Sequence, residues 1–83
     1  MENFIKFVND YCWTAVDVTI VYSKSTIGFC MREASVEVIP NANIITISNE
    51  DNEINLADIK SIWEDGNEFE IVNGDWHVVV AFL

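Results

Sequence analysis

The chain has 83 residues, 51% of them hydrophobic and 12% aromatic, and a formal net charge of −10. The apolar content excludes a disordered acidic chain, and the length allows one modest core, so a single domain over residues 1–83 is expected. The charge excludes a phosphate-binding surface, which needs clustered Lys and Arg, and disfavours anionic lipid, so neither direct nucleic-acid binding nor a membrane is expected.

Residues 2–12, ENFIKFVNDYC, place Phe4, Ile5, Val8, Tyr11 and Cys12 at helical spacing, with Glu2, Lys6, Asn9 and Asp10 elsewhere round the wheel. The spacing predicts an amphipathic helix. Residues 13–23, WTAVDVTIVYS, alternate instead: Val16, Val18, Ile20 and Tyr22 share one face, Asp17 and Thr19 the other. That is a strand. Ser23-Lys24-Ser25 makes the turn into its hairpin partner, residues 26–33, where Ile27, Phe29 and Met31 face together and Gly28 suggests a bulge or a close approach.

Val36 to Ile39 is a further strand, ended by Pro40, which cannot donate to a ladder. Residues 43–48, NIITIS, form another, closed by the polar loop Asn49–Glu53. Over residues 55–65 a short helix is favoured, with Asn55 as its cap and Leu56, Ile59 and Trp63 on one face. Glu64 and Asp65 at its C-terminal end oppose the helix dipole.

The last segment, EFEIV-NG-DWHVVVAF, predicts a hairpin about Asn73-Gly74, the preferred pair for a type I′ turn. That turn sets Ile71 opposite Trp76, Phe69 opposite Val78, Glu70 opposite His77 and Glu68 opposite Val79. The fold class is therefore α+β, an N-terminal helix packed on an antiparallel sheet of about five strands, with a small Sm-like or SH3-like barrel as the architectural alternative.

Chemistry-bearing motifs are few. EF-hand spacing fails from Asp51, where Leu56 and Ile62 stand at positions that need Gly and Glu, and from Asp65, where Phe69 falls among the ligands. Cys12 and Cys30 lie apart with no second histidine, so no zinc site is expected. Their apolar neighbours suggest buried free thiols. A Glu70–His77 pair is two-thirds of a catalytic triad in outline, but no nucleophile elbow, HExxH or Gly-rich phosphate loop accompanies it. The expectation is a non-enzyme without cofactor or metal, with the pair as a cross-strand charge contact. Trp76 and Trp13 are expected to pack inward.

What remains is the charge distribution. Residues 1–42 carry five acids and three bases, residues 43–83 nine acids and one base, Lys60. Solubility alone needs no such imbalance, and self-repulsion costs stability. Glu50, Asp51, Glu53, Glu64, Asp65, Glu68 and Glu70 are accordingly candidate partner-binding residues acting as phosphate surrogates, with Trp63 either the core anchor of the short helix or an aromatic anchor in the acidic rim. The expected partner is a basic, nucleic-acid-binding protein.

In size and charge the chain resembles, in type only, small inhibitors from phages and mobile elements that block host nucleases, anti-CRISPR proteins among them. The resemblance implies a nucleic-acid mimic in the cytoplasm, the host's if phage-encoded. MENFIKF lacks the apolar run of a secretory signal. The alternative is a self-associating module: the apolar C-terminal strand HVVVAFL is either central in its sheet or pairs across a subunit interface, and the acids are then a solvated face.

Overall fold

The structure, a computed structural model, describes residues 1–83. Helix α1 (Glu2–Asp10) carries Glu2 in its first turn, where a carboxylate complements the helix dipole. It stops at Tyr11, which is extended and whose N–H bonds to the Phe7 carbonyl at 2.8 Å. The expected C-terminal extension of the helix through Cys12 is therefore absent.

The strands are β1 (Ala15–Tyr22), β2 (Ser25–Arg32), β3 (Ser35–Ile39), β4 (Ile44–Ser48), β5 (Glu53–Leu56), β6 (Ile59–Asp65), β7 (Glu68–Asn73) and β8 (Trp76–Phe82). They form a five-stranded antiparallel sheet in the order β2-β1-β8-β7-β6 and a three-stranded one, β3-β4-β5. The fold is α+β, with a helix and a second small sheet beside the main sheet. The barrel alternative is corrected: β2 and β6 each keep one unpaired edge, so the main sheet is open. No helix is long and apolar enough to cross a membrane.

One face of the main sheet is covered. Val16 and Val18, Val78, Val80 and Phe82, Phe69 and Ile71, and Met31 all point to it and are buried. Helix α1 closes one end, Phe4 and Phe7 meeting Phe69 edge-on at 5.0 and 4.9 Å between ring centroids. Trp13 packs on Phe82 at 4.9 Å, as expected of an inward tryptophan, and its indole N–H donates to the Ala34 carbonyl at 2.9 Å. The small sheet adds Ile45, Ile47 and Leu56 to the same buried cluster. Burial of each such side chain is worth about 1.5–3 kcal/mol.

The segment 55–65 is not a helix. It holds the end of β5 and all of β6, joined through Asp58 at φ +51°. Asn55 caps nothing; its Oδ1 accepts the Thr46 hydroxyl at 2.7 Å across the β4–β5 pair. A register irregularity at Lys60 leaves Ile59 and Ile62 on the covered face three residues apart, a strand spacing that mimics a helical one.

The C-terminal hairpin forms with a different turn. Gly74 and Asp75 are the central residues, with positive φ only at Gly74 (+64°), the type II′ pattern. Partners shift by two: Ile71 pairs with Val78, Phe69 with Val80 and Glu70 with Val79. An even shift keeps every side chain on its expected face. Trp76 still ends on the covered side but is 43% exposed, stacked on Tyr22 at 4.5 Å. Gly28 marks no bulge, since β1 and β2 pair without interruption.

Candidate functional site

The other face of the main sheet is covered by nothing in the chain. Strand alternation places Trp63, Glu70, Val79, Thr19 and Gly28 in one row across it. Asp65, Glu68, Ala81, Asp17 and Cys30 form the next row, and Val72, His77 and Val21 flank the first on its other side. Small apolar residues thus run down the middle and acids gather at the β6–β7 side. Trp63 is 66% exposed, the most exposed of the large hydrophobic side chains. With Glu64, Asp65, Glu68, Glu70 and Val79 it lines a shallow depression of about 250 Å³ at the β6 edge.

The expected partner-binding residues divide into three places. Trp63, Asp65, Glu68 and Glu70 lie together on the open face. Glu64 alternates to the opposite side, where it borders a cleft with Lys6, Asp10 and Tyr11 of the helix region. Glu50, Asp51 and Glu53 sit at the β4–β5 connection of the small sheet. Asn49, beside them, donates to the Arg32 carbonyl at the end of β2 at 3.1 Å. Strands β2 and β6 are opposite edges of the main sheet, four interstrand spacings or about 19 Å apart. The acids contiguous in sequence are therefore not one patch.

Sequence reasoning gave no site role to Asp17, which brings an acid from the first half of the chain to the open face. Its alternation against Val16 and Val18 was the available signal. A second missed signal was Gly66-Asn67, a hairpin dipeptide with Gly66 at φ +66°, which pairs β6 with β7 and so sets Trp63 opposite Glu70.

His77 Nδ1 lies 3.3 Å from Glu70 Oε2, both side chains about half exposed. The pair lines a second depression, of about 430 Å³, with Ser23, which makes no hydrogen bond to His77. No activated nucleophile is assembled there. Nor do three or more His, Cys, Asp or Glu side chains converge to hold a metal ion.

Both cysteines are exposed, which corrects the expectation of buried thiols. Cys12 lies beyond the end of the helix. Cys30 alternates outward between the inward Phe29 and Met31, opposite Asp17. Hydrogen bonding to the Asp17 carboxylate, then desolvation and the carboxylate's charge, push the Cys30 thiol above its ordinary pKa.

Comparison with protein-family models, curated proteins and solved structures finds no match for this chain. Strand β8 has a hydrogen-bonded neighbour on each side, which accounts for the apolar run HVVVAFL within the sheet.

Proposed function

We propose that the chain is a non-enzymatic binding protein that docks the β6–β7 side of its open sheet face on a basic surface of a nucleic-acid-handling protein. The observation that carries this reading is Trp63: a 66% exposed indole, opposite Glu70 and beside Asp65 and Glu68, on a face the chain leaves uncovered. A large rigid aromatic amid charge supplies contact area at its centre and electrostatic steering around it. The acids on this face stand in for phosphates, and the protein acts as a nucleic-acid mimic of the anti-CRISPR or other phage anti-defence type in the bacterial cytoplasm. Size and charge support that finer step.

The test is a pull-down from bacterial lysate with the wild-type chain and with a variant carrying Asp65→Lys, Glu68→Lys and Glu70→Lys. A basic nucleic-acid-binding protein should be held at low salt, shed at high salt, and missed by the reversed variant. Equal recovery with both chains sinks the proposal.

A further inference from the structure

Sheet edges invite pairing with another chain, and three of the four here are guarded. Strand β6 has an irregular register at Lys60 and ends in Glu64 and Asp65. Strand β3 carries Glu37 and runs into Pro40, and β5 is only 4 residues long with Glu53 at its start. Strand β2 is different. It has 8 residues, pairs without a bulge, and carries no charge from Ser25 to Met31. Ile27 on it is 60% exposed.

The unpaired backbone groups can be assigned. Glu33 N–H bonds to the Thr14 carbonyl at 3.0 Å, and antiparallel alternation from there turns Met31, Phe29, Ile27 and Ser25 toward β1. The N–H and C=O groups of Thr26, Gly28 and Cys30 therefore point outward. The Arg32 carbonyl points outward too, and Asn49 takes it. That side chain closes one end of the edge, and the Ser23-Lys24 turn closes the other. The free stretch, Ser25 to Met31, has Gly28 at its midpoint.

Gly28 has no reason to be glycine within one chain. A Cβ there meets nothing nearer than Thr19 Oγ1 at 3.8 Å, and its φ is not positive. Glycine inside a strand often marks a bulge, a bend or a close approach of a ligand or backbone, and no bulge is present here.

We propose that the β2 edge is a self-pairing edge, on which two copies join β2 to β2 antiparallel about a two-fold axis at Gly28. In that register Thr26 of one copy bonds to Cys30 of the other, and Gly28 faces Gly28. Exposed Ile27 of each copy packs on half-buried Phe29 of the other as a non-hydrogen-bonded pair. Lys24 of each copy arrives beside Arg32 of the other, at the corner that holds Glu33, Glu50 and Asp51. The middle of the edge is self-complementary, as an isologous contact requires, while Lys24 opposite Arg32 sets like charges at each end, with Glu33 next to Arg32 in sequence. The acids at the β6–β7 side lie at the opposite edge of the sheet, remote from the axis. The proposal is independent of what the open face binds.

The test is sedimentation equilibrium of the full chain from about 10 µM to about 1 mM, the range a small interface calls for. The mass should rise from one chain to two. Ile27→Lys should hold it at one chain throughout with an unchanged far-UV spectrum and melting point, because Ile27 is exposed in the single chain. Amide exchange at Thr26, Gly28 and Cys30 should slow by about tenfold at the high concentration. A single-chain mass at every concentration overturns the proposal, as does a dimer that Ile27→Lys leaves intact or whose newly protected amides lie on another strand.

Discussion

Glu70 reaches His77 diagonally: the strand register sets Val79 opposite Glu70 and Val72 opposite His77, yet Oε2 and Nδ1 lie 3.3 Å apart. Diagonal neighbours on one sheet face are within range of long side chains. The contact survives the two-residue shift of the hairpin because both residues stay on the open side. Each side chain is about half exposed, so solvent screens the pair. Glu70→Gln should change unfolding free energy by less than about 0.5 kcal/mol in urea titrations. A larger loss means the pair organises the face rather than decorating it.

Phe69 and Trp63 test the two sides of the same strand pair. Phe69 is fully buried and meets the rings of Phe4, Phe7 and Phe82. Phe69→Ala should cost about 3–5 kcal/mol, a large share of the roughly 5–15 kcal/mol of a small domain. Trp63→Ala, on the open face, should shift stability by no more than about 0.5 kcal/mol. Denaturant midpoints with unchanged slopes read both. A strongly destabilised Trp63 variant places the indole in a structural role and removes it as an anchor.

Much of this arrangement is visible in the residues, and what is hidden has identifiable causes. Alternation in residues 15–22 fixes which side chains of β1 go inward, and Pro40 marks the end of β3 because it lacks a ladder donor. Residues 55–65 mislead for one local reason. Leu56, Ile59 and Trp63 share one face of a helix, but the irregularity at Lys60 puts Ile59 with Ile62 on the covered side of the sheet and Trp63 on the open one. Cys30 misleads for another: apolar neighbours in sequence imply burial only in a continuous core, whereas in an edge strand they imply that the residue between them faces out. The site was half legible. Composition located Trp63, Asp65, Glu68 and Glu70, but only pairing separates them from Glu64 and from the Glu50–Glu53 loop, and only pairing adds Asp17.

Backbone strain offers a stabilising change. Glu33 sits at φ +53° between β2 and β3, where an L-residue with a long side chain is disfavoured. Glu33→Gly should raise stability by about 0.5–1 kcal/mol, the relief exceeding the added freedom of the unfolded chain. Gly74→Ala, at φ +64°, should lose about 1 kcal/mol. Thermal midpoints moving in opposite directions check the pair of variants. A Glu33→Gly chain that melts lower indicates a contact of the carboxylate that outweighs the strain.

Cys30 carries a pH signature. Its thiol holds its proton more tightly in the folded chain than in the unfolded one, because Asp17 accepts from it and opposes the thiolate. Stability from this source is fully present below the ordinary thiol pKa and is lost as pH rises through the raised folded value. Alkylation of Cys30, followed by mass spectrometry across alkaline pH, should reach half its maximal rate above pH 9.0, the ordinary value. Asp17→Asn should move that midpoint down. An unmoved midpoint assigns the shift to something other than Asp17.

Asp65 and Glu68 face each other directly across the turn that joins β6 to β7. Like charges so placed repel, and the net charge of −10 adds to the effect. Asp65→Lys should therefore stabilise the chain by about 0.5 kcal/mol at low ionic strength, and the gain should shrink toward zero near 1 M salt, where the screening length falls to about 3 Å. Urea titrations at the two salt concentrations give both values. The same substitution, made alone, should weaken capture of a basic partner at low salt. A variant that is more stable and binds less well identifies the repulsion as the cost of a working surface. One that is more stable and binds equally well leaves Asp65 outside that surface and confines the interaction to Trp63, Glu68 and Glu70.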